Sequence, residues 1–254
     1  MSAAVLQVAT AATFLVAASV LAWRRRLGMS RDLLVVGARA AVQLTVVGLL
    51  IAAVFAEPPL AVAFIGLMLA AAAWTSGGRF TGVPAARRRA AVAIGAPALS
   101  ATGILIAVGA FSPEPRTAIP TAGILIGGAM AASSLTGRRL LEGLEADAAV
   151  IETRLALGDR LRDALAPTVR QAIHTGLVPA MDQTRNVGLV SLPGTFVGLL
   201  LGGASPAEAA RLQLVVLLAI VAVELVAAVL TTEVILRARM APGERLLPAG
   251  ASSG

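Results

Sequence analysis

Cysteine and lysine are both absent from this chain of 254 residues, and histidine occurs once. Without cysteine there can be no disulfide, no thiolate metal site and no cysteine nucleophile. A P-loop needs a lysine after its glycines to hold nucleotide phosphates, so the chain is not a P-loop ATPase. A single histidine also excludes a zinc motif built on two histidines. An enzyme is therefore the weaker class of function, because the sequence shows no recognisable nucleophile or metal constellation.

Charged residues are also scarce, at 14% of the chain, whereas hydrophobic residues make up 57%. The mean hydropathy of +0.86 lies well outside the range of soluble proteins. The net charge is +7, every Lys or Arg position is an arginine, and most of these arginines lie in short clusters between apolar runs. This pattern is typical of membrane orientation. We therefore expect the lipid bilayer as a partner and no nucleic acid.

Seven apolar runs approach the length of about 20 residues that a helix needs to cross a bilayer. The predicted fold is an all-α integral membrane protein, a single transmembrane domain over residues 1–254. It has about seven transmembrane helices and a cytoplasmic helical elbow between spans five and six. The Pro-, Gly- and Ser-rich tail, residues 237–254, is expected to be flexible. The spans are about 3–23, 33–55, 60–78, 90–111, 117–136, 172–201 and 209–236.

The arginines predict the orientation of these spans. Seventeen arginines fall in segments on one side of the predicted membrane, and only Arg116 and Arg211 fall in loops on the other. The positive-inside rule then places the N-terminus outside and the C-terminus in the cytoplasm. The first apolar run is followed by a basic cluster and preceded by none, so it is predicted to be a membrane anchor and not a cleaved signal peptide. The expected location is the inner (plasma) membrane.

The elbow, residues 138–171, is charged but amphipathic. Gly158 is expected to end its first helix, and Asp159 to cap a second helix that begins near Leu161. The apolar positions recur at helical spacing, so one stripe of the elbow is apolar while the rest carries Glu, Asp and Arg. This stripe consists of Leu140, Leu141, Leu144, Ala148, Ile151 and Leu155 in the first helix and Leu161, Leu165 and Val169 in the second.

Span six carries polar residues at membrane depth and then breaks at Pro193 and Gly194. Intramembrane charges usually face a cavity or a partner, so Asp182, Arg185 and Asn186 could form an inner gate. The alternative is a local ion pair near the cytoplasmic end of the helix that reaches water. A proline removes a backbone donor, and Ser191 is a candidate to satisfy the backbone groups that the break leaves free.

Three further polar residues lie within spans. Arg39 and Gln43 are one helical turn apart in span two, and Glu224 lies near the centre of span seven. Each could line a gate or a substrate path, or could serve in ordinary helix–helix hydrogen bonding. Small-residue faces with a spacing of four also occur, which indicates close helix packing within one chain or along a dimer seam. These faces are Gly123 and Gly127, and Gly194, Gly198 and Gly202.

The elbow contains the segment from Glu152 to Gly158, Glu-Thr-Arg-Leu-Ala-Leu-Gly. It resembles a degenerate form of the Glu-Ala-Ala…Gly loop with which permeases of ABC importers dock in a groove of the ATPase. The apolar stripe could sit in such a groove while flanking Glu and Arg residues fix the register at its rim. The residues expected to couple to the ATPase are Glu152, Leu155, Gly158, Asp159 and Leu161. The alternative is an interfacial helix lying on anionic lipid, since the same amphipathic pattern serves both.

Three further motifs resemble the FetB-like (YbbM-like) permease family. They are Gly-Gly-Ala-Met-Ala-Ala-Ser-Ser-Leu from Gly127, the run from Leu177 to Val187, and Gly-Leu-Val-Ser-Leu-Pro-Gly from Gly188. Members form the membrane subunit of a small ABC transporter implicated in iron export, and plant relatives are linked to aluminium tolerance. The resemblance implies a permease homodimer with a separate ATPase subunit. ATP and Mg would bind to that ATPase, and no cofactor would bind to this chain.

Two other functions remain open from the residues alone. The chain could be a transporter or channel driven by an ion gradient, with Asp182, Glu224 and Glu233 as proton or cation sites. The available ligands are hard oxygen donors and one histidine, which would suit a hard or chelated metal, but the chain could also be an ABC permease for an organic substrate. No residue is assigned as a metal ligand.

Overall fold

The computed structural model describes residues 3–241 and 245–246, and this part of the chain is almost entirely helical. Two strands of two residues, β1 (Met240–Ala241) and β2 (Arg245–Leu246), pair in an antiparallel manner. The helices are α1 (Ala3–Arg24), α2 (Ser30–Ala56), α3 (Pro58–Gly77), α4 (Ala86–Ala107), α5 (Pro115–Ala146), α6 (Ala148–Ala156), α7 (Leu161–Asn186), α8 (Gly194–Leu201) and α9 (Pro206–Arg239).

The chain divides into two compact units, Met1–Glu57 and Pro58–Gly254. The first unit is the hairpin of α1 and α2. Gly37 of α2 lies against the side chain of Leu15 in α1, and any side chain at position 37 would collide with that leucine. A residue without a side chain therefore allows the two helices to approach closely.

In the second unit α5 is the central helix, and it packs against α3, α4, α7 and α9. Its buried face consists largely of small residues, among them the fully buried Ala122, Ala129 and Ala132. Small side chains allow neighbouring backbones to come close in a membrane, where packing and not hydrophobic burial drives association. The helices around α5 therefore position the polar side chains described below.

Among the described residues, six helices are long and apolar enough to cross a membrane by length and composition: α1 to α5 and α9. The predicted sixth span, residues 172–201, is different from the expectation. It is not one helix broken at a point, because α7 ends at Asn186 and α8 begins only at Gly194. Moreover, α7 starts in the elbow at Leu161, so the second elbow helix and the first half of span six form one continuous helix.

Part of the predicted tail is ordered helix. α9 continues through Arg239, and the short pairing of β1 with β2 follows it. Residues 242–244 and 247–254, which hold most of the predicted flexible tail, lie outside the described residues. The flexibility of the tail therefore stays a prediction.

Candidate functional site

The elbow consists of the end of α5, the short helix α6 and the start of α7. α5 runs on from its apolar part through Ala146, and Asp147 separates it from α6. The hydroxyl of Thr168 in α7 donates a hydrogen bond of 2.8 Å to the Asp147 carboxylate. This bond joins the corner between α5 and α6 to α7, so the three segments form one folded element.

The turn between α6 and α7 confirms the predicted helix end at Gly158. This residue has a φ of +97°, which glycine adopts without the steric cost that other residues incur. The Gly158 N–H bonds to the Leu155 carbonyl at 3.0 Å, and the Asp159 N–H to the Arg154 carbonyl at 3.1 Å. These two bonds are those of a Schellman motif, which satisfies the last carbonyls of the helix.

The predicted cap at Asp159 is wrong. Arg160 occupies the cap position of α7, and no side chain caps that helix. The Asp159 carboxylate instead accepts a hydrogen bond of 2.7 Å from the Arg154 guanidinium. Because Asp159 holds the end of α6 to the turn, it cannot at the same time cap the helix that follows.

The apolar stripe of the elbow faces the chain's own core, which the sequence analysis did not predict. Leu161 is 3% exposed, and Leu155 is partly buried and packs against the core. The end of α5, α6 and α7 fold back on one another, so the stripe is covered within the chain; only Ala148 is exposed. The members that are buried are Leu140, Leu141, Leu144, Ile151, Leu161 and Leu165.

The outer face of α6 is the exposed apolar surface of the elbow. Val150 is 61% exposed and Leu157 is 82% exposed. The two residues are seven positions apart, which places them on one face of the helix end. The exposed Glu152 and Thr153 lie between them in sequence. Apolar side chains beside a carboxylate are the arrangement that the sequence predicted for docking on an ATPase, although it was predicted for the stripe that is buried here.

The predicted gate residues of α7 lie together at its C-terminal end. Asp182 and Arg185 form an ion pair with a separation of 3.7 Å, and both side chains are more than half exposed. The Asn186 side-chain amide donates a hydrogen bond of 2.9 Å to the Asp182 carbonyl in the last turn. The structure thus shows a loose local pair and a helix-end bond at these positions.

Seven residues, 187–193, separate α7 from α8, so the break is wider than the predicted Pro193–Gly194 point. Gly188 has a φ of +80°, and its N–H donates to the Ser191 carbonyl at 2.9 Å. The Val190 N–H donates to the Asn186 carbonyl at 3.0 Å. Ser191 thus joins the turn through its main chain, while Pro193 occupies the cap position of α8 and Gly194 is its first residue.

A cavity of about 480 Å³ lies between this segment and α9. Its lining is mostly apolar, but it includes Gln213 of α9, which is 5% exposed. The side-chain oxygen of Gln213 is buried and accepts no hydrogen bond from the described residues. Sequence reasoning missed Gln213, although a glutamine at the buried face of an apolar helix is a detectable signal.

Glu224 lies at the centre of α9 and is 7% exposed. A side chain at Gly128 of α5 would begin 2.8 Å from its carboxylate oxygen, so the carboxylate occupies the space beside that glycine. Glu233, two and a half turns further along, is instead paired with Arg237 at 3.3 Å and with Arg162 at 3.7 Å.

A cluster of three buried hydroxyls joins α3, α5 and α9. Thr231 donates a hydrogen bond of 2.8 Å to Ser133, and Ser76 donates one of 3.2 Å to the same oxygen. The oxygens of Ser134 and Thr136 in α5 are also buried, and neither finds a partner in the part of the chain that the structure describes. Sequence reasoning missed this cluster because its members lie far apart in the chain.

Two predicted path residues belong to the first unit. Arg39 and Gln43 are both exposed along α2, and within residues 3–57 neither makes a hydrogen bond or an ion pair. In the described part of the chain, no three His, Cys, Asp or Glu side chains group closely enough to hold a metal ion.

These features define a multi-pass α-helical membrane protein with a folded helical elbow formed by the end of α5, α6 and the start of α7. The family model described as "Uncharacterised protein family (UPF0014)" matches residues 5–240. The chain therefore belongs to the UPF0014 family of membrane proteins.

Three curated relatives are similar over most of this chain. The UPF0014 membrane protein STAR2 of Oryza sativa subsp. japonica is 37% identical over 225 residues, covering 87% of this chain and 79% of the relative. ALUMINUM SENSITIVE 3 of Arabidopsis thaliana is 31% identical over 88% of this chain and 83% of its own length. The probable iron export permease protein FetB of Escherichia coli is 30% identical, with coverage of 82% and 81%. No solved structure gives a significant match.

Proposed function

We propose that this chain is the membrane permease subunit of an ABC transporter that exports iron or another metal. The observation that carries the proposal is the exposed apolar face of α6, which contains Val150 and Leu157. The similarity to a probable iron export permease supports the direction and the substrate. ATP and Mg would bind to a separate ATPase subunit, which docks on this face.

The elbow has the rigidity that such a coupling needs. α6 is tied to α7 by the Schellman turn, by the Arg154–Asp159 pair and by the bond from Thr168 to Asp147. A push on the outer face of α6 would therefore reach α7 directly. Since α7 continues without interruption to Asp182 and Asn186, the push is carried to the break before α8.

A charged surface lies beside the elbow and suits the rim of a docking site. A cavity of about 360 Å³ there is lined by Arg79, Thr81, Arg138, Leu141, Glu142 and Glu145. Arg138 donates a hydrogen bond of 2.8 Å to Glu142, one turn further along α5. Charges at a rim chiefly set specificity and the rate of encounter, whereas the apolar centre supplies most of the affinity.

In this proposal α7 and α8 together form a seventh crossing, with the segment 187–193 as its non-helical middle. Irregular backbone within a membrane is tolerated where protein or water satisfies it. The hydrogen bonds of Gly188 and Val190 satisfy part of this segment. The break then serves as the hinge at which the movement of α7 is converted into opening of the path.

A second copy of the chain would pack along α8. Side chains at Gly194 and Gly198 would meet nothing within 4 Å among the described residues, so these glycines are not used for packing inside one copy. By contrast, a side chain at Gly123 would meet Met68 at 2.5 Å. Gly127 of the other face is also open, so what distinguishes the face on α8 is that none of its glycines packs against another helix among the described residues, and this favours α8 as the dimer seam.

The acidic residues bear on the alternative, a transporter driven by an ion gradient. Two of the three predicted cation sites are already neutralised, because Asp182 pairs with Arg185, and Glu233 pairs with two arginines. Of these three predicted sites, Glu224 is the one that makes no ion pair within residues 3–241 and 245–246. A single carboxylate fits a substrate path in either class of transporter, so the support for an ABC permease comes from the exposed face of the elbow and from the similarity to a permease.

The decisive variant is Leu157→Asp. Leu157 is 82% exposed, so the change leaves the core intact while it places a charge in the docking face. We expect the variant to insert normally but to lose ATP-driven metal transport, and the loss of stimulated ATP hydrolysis should accompany it. The measurement is both rates in proteoliposomes that contain the chain and its ATPase.

Leu27→Asp is the matched control, since Leu27 is an exposed leucine on the same predicted side of the membrane but outside the elbow. It should retain both rates. Full coupling in Leu157→Asp at equal protein levels would disprove docking on α6 and favour the alternative that α6 lies on lipid.

A further inference from the structure

The carboxylate of Glu224 has a prepared space inside the helix bundle. Its side chain is 7% exposed and lies against α5 at Gly128. A side chain at position 128 would start 2.8 Å from the Glu224 Oε1 atom and 3.4 Å from its Cγ atom. Glycine at 128 is therefore what allows a carboxylate to sit between α5 and α9 at this depth.

No counter-charge is available to Glu224 from the helices packed around it. Residues 58–77 of α3, 90–107 of α4 and 117–137 of α5 contain no titratable side chain, and Glu224 is the only one between residues 212 and 232 of α9. On α7, Asp163, Arg170 and His174 are exposed, Arg162 is exposed and pairs with Glu233, and Asp182 and Arg185 are exposed and paired with each other.

Glu224 also makes no hydrogen bond or ion pair with any of the described residues. A buried charge without a partner is costly, so such a carboxylate takes up a positively charged species. Because the surrounding helices supply none, the positive species must come from outside the bundle.

Further oxygen donors lie along the same face of α9. Thr231 is two turns beyond Glu224 and bonds to Ser133, which also accepts a bond from Ser76. In the same stretch of α5, the hydroxyl oxygens of Ser134 and Thr136 are buried without partners in the described chain. Carboxylate and hydroxyl oxygens, with no thiol and no imidazole, form a donor set that suits hard cations.

We propose that Glu224 is the intramembrane ligand of the transported cation, and that this cation is hard and binds through oxygen. The hydroxyl cluster of Ser76, Ser133 and Thr231 forms the next position on its path. Seven residues of helix separate Glu224 from Thr231, or about 10 Å at 1.5 Å per residue, so the two positions are occupied in succession. This proposal rests on the proposed function, because it names the substrate class and a site for the same transport.

The test is equilibrium binding of Mn²⁺, a hard cation with a direct spectroscopic signal, to the full chain. The chain is held without its ATPase in nanodiscs of zwitterionic lipid, and free Mn²⁺ is measured by electron paramagnetic resonance. Glu224→Gln keeps the shape of the side chain and removes its charge. We expect its Mn²⁺ affinity to fall by about tenfold or more, since even the loss of an outer-shell partner costs that much.

Gly128→Ala and Gly127→Ala form a matched pair. The first places a methyl group where the carboxylate lies, and the second places one where nothing is found within 4 Å in the described chain. Gly128→Ala should weaken Mn²⁺ binding, and Gly127→Ala should not. Glu233→Gln, a paired carboxylate on the same helix, should also bind Mn²⁺ as the unmodified chain does.

Unchanged Mn²⁺ affinity in Glu224→Gln would overturn the proposal, and it is the result expected if the carboxylate takes only a proton. Equal weakening by Glu224→Gln and Glu233→Gln would overturn it too. The assay contains no ATP and no ATPase. Its failure is therefore distinct from a failure of coupling through α6, which is measured by transport and ATP hydrolysis.

Discussion

At the scale of single residues, glycines determine which polar groups come together. Gly128 leaves room for the Glu224 carboxylate. Gly176 of α7 lies directly against the Thr136 hydroxyl, and a Cβ atom at position 176 would lie 3.1 Å from the Ala132 carbonyl oxygen. The contact at Gly176 holds α7 close to α5. Through this contact α7, which would transmit the movement of the elbow in the proposed function, is fixed to the central helix α5.

Gly176→Ala should therefore destabilise the protein. A methyl group there collides with Thr136 and crowds the Ala132 carbonyl, and overpacking of a tight site typically costs about 1–3 kcal/mol. The measurement is thermal unfolding in detergent, followed by tryptophan fluorescence. Gly127→Ala is the control and should unfold as the unmodified chain does. Equal unfolding temperatures for both variants would contradict the tight contact.

The sequence predicted part of this residue-level arrangement. Glu224 was recognised as a candidate because a carboxylate within an apolar run is conspicuous. Its neighbour Gly128 and the cluster of Ser76, Ser133 and Thr231 could not be found in this way. Their association depends on the rotation of α3, α5 and α9 about their axes, and small polar residues leave the hydrophobic pattern of a helix unchanged.

At the scale of elements, the elbow and the break before α8 are the informative segments. The pattern predicted an amphipathic helix that ends at Gly158, and the Schellman turn confirms that end. The pattern could not show which partner covers the apolar stripe, because burial inside the chain and docking on another protein require the same periodicity. The structure shows the stripe covered, so the proposed docking surface consists instead of the exposed Val150 and Leu157.

The turn in the break before α8 depends on Gly188 more than on Pro193. Gly188 has a φ of +80° and open space around it, so a substitution acts only through the backbone. Gly188→Ala should strain the turn by about 1–2 kcal/mol. An energy of this size shifts a conformational equilibrium by roughly 5- to 30-fold. We expect transport at matched membrane levels to fall accordingly.

Leu189→Ala is the control for this variant, since Leu189 is the next residue, 90% exposed, and has an ordinary φ. Its transport rate should be unchanged. If Gly188→Ala transports at the rate of the unmodified chain, the turn is a connection between α7 and α8 and has no role as a hinge.

At the scale of the whole molecule, the composition predicted the class of protein without any motif. Six helices long and apolar enough for a membrane are present in the described residues, whereas the apolar runs of the sequence predicted about seven. The polar residues of α7 kept it from that group, and its partner α8 is only eight residues long. A crossing shared between α7 and α8 contains no single apolar helix of sufficient length. The seventh crossing therefore stays a prediction that belongs to the proposed function.

The orientation of the chain decides whether the elbow can meet an ATPase at all. The arginine distribution predicts that α6 lies in the cytoplasm and that the residues before α9 lie outside. Since the chain contains no cysteine, a single introduced cysteine is an unambiguous reporter of its surroundings.

The central claim, that an ATPase docks on the outer face of α6, is tested most directly by cross-linking from a cysteine at Leu157. A short cross-linker in membranes that contain both subunits should join Leu157→Cys to the ATPase. Ser205→Cys, in the predicted external loop, should be modified by a membrane-impermeant thiol reagent from outside and should form no such product. Labelling of Leu157→Cys by that external reagent, or its failure to cross-link in a complex that transports, would contradict the account.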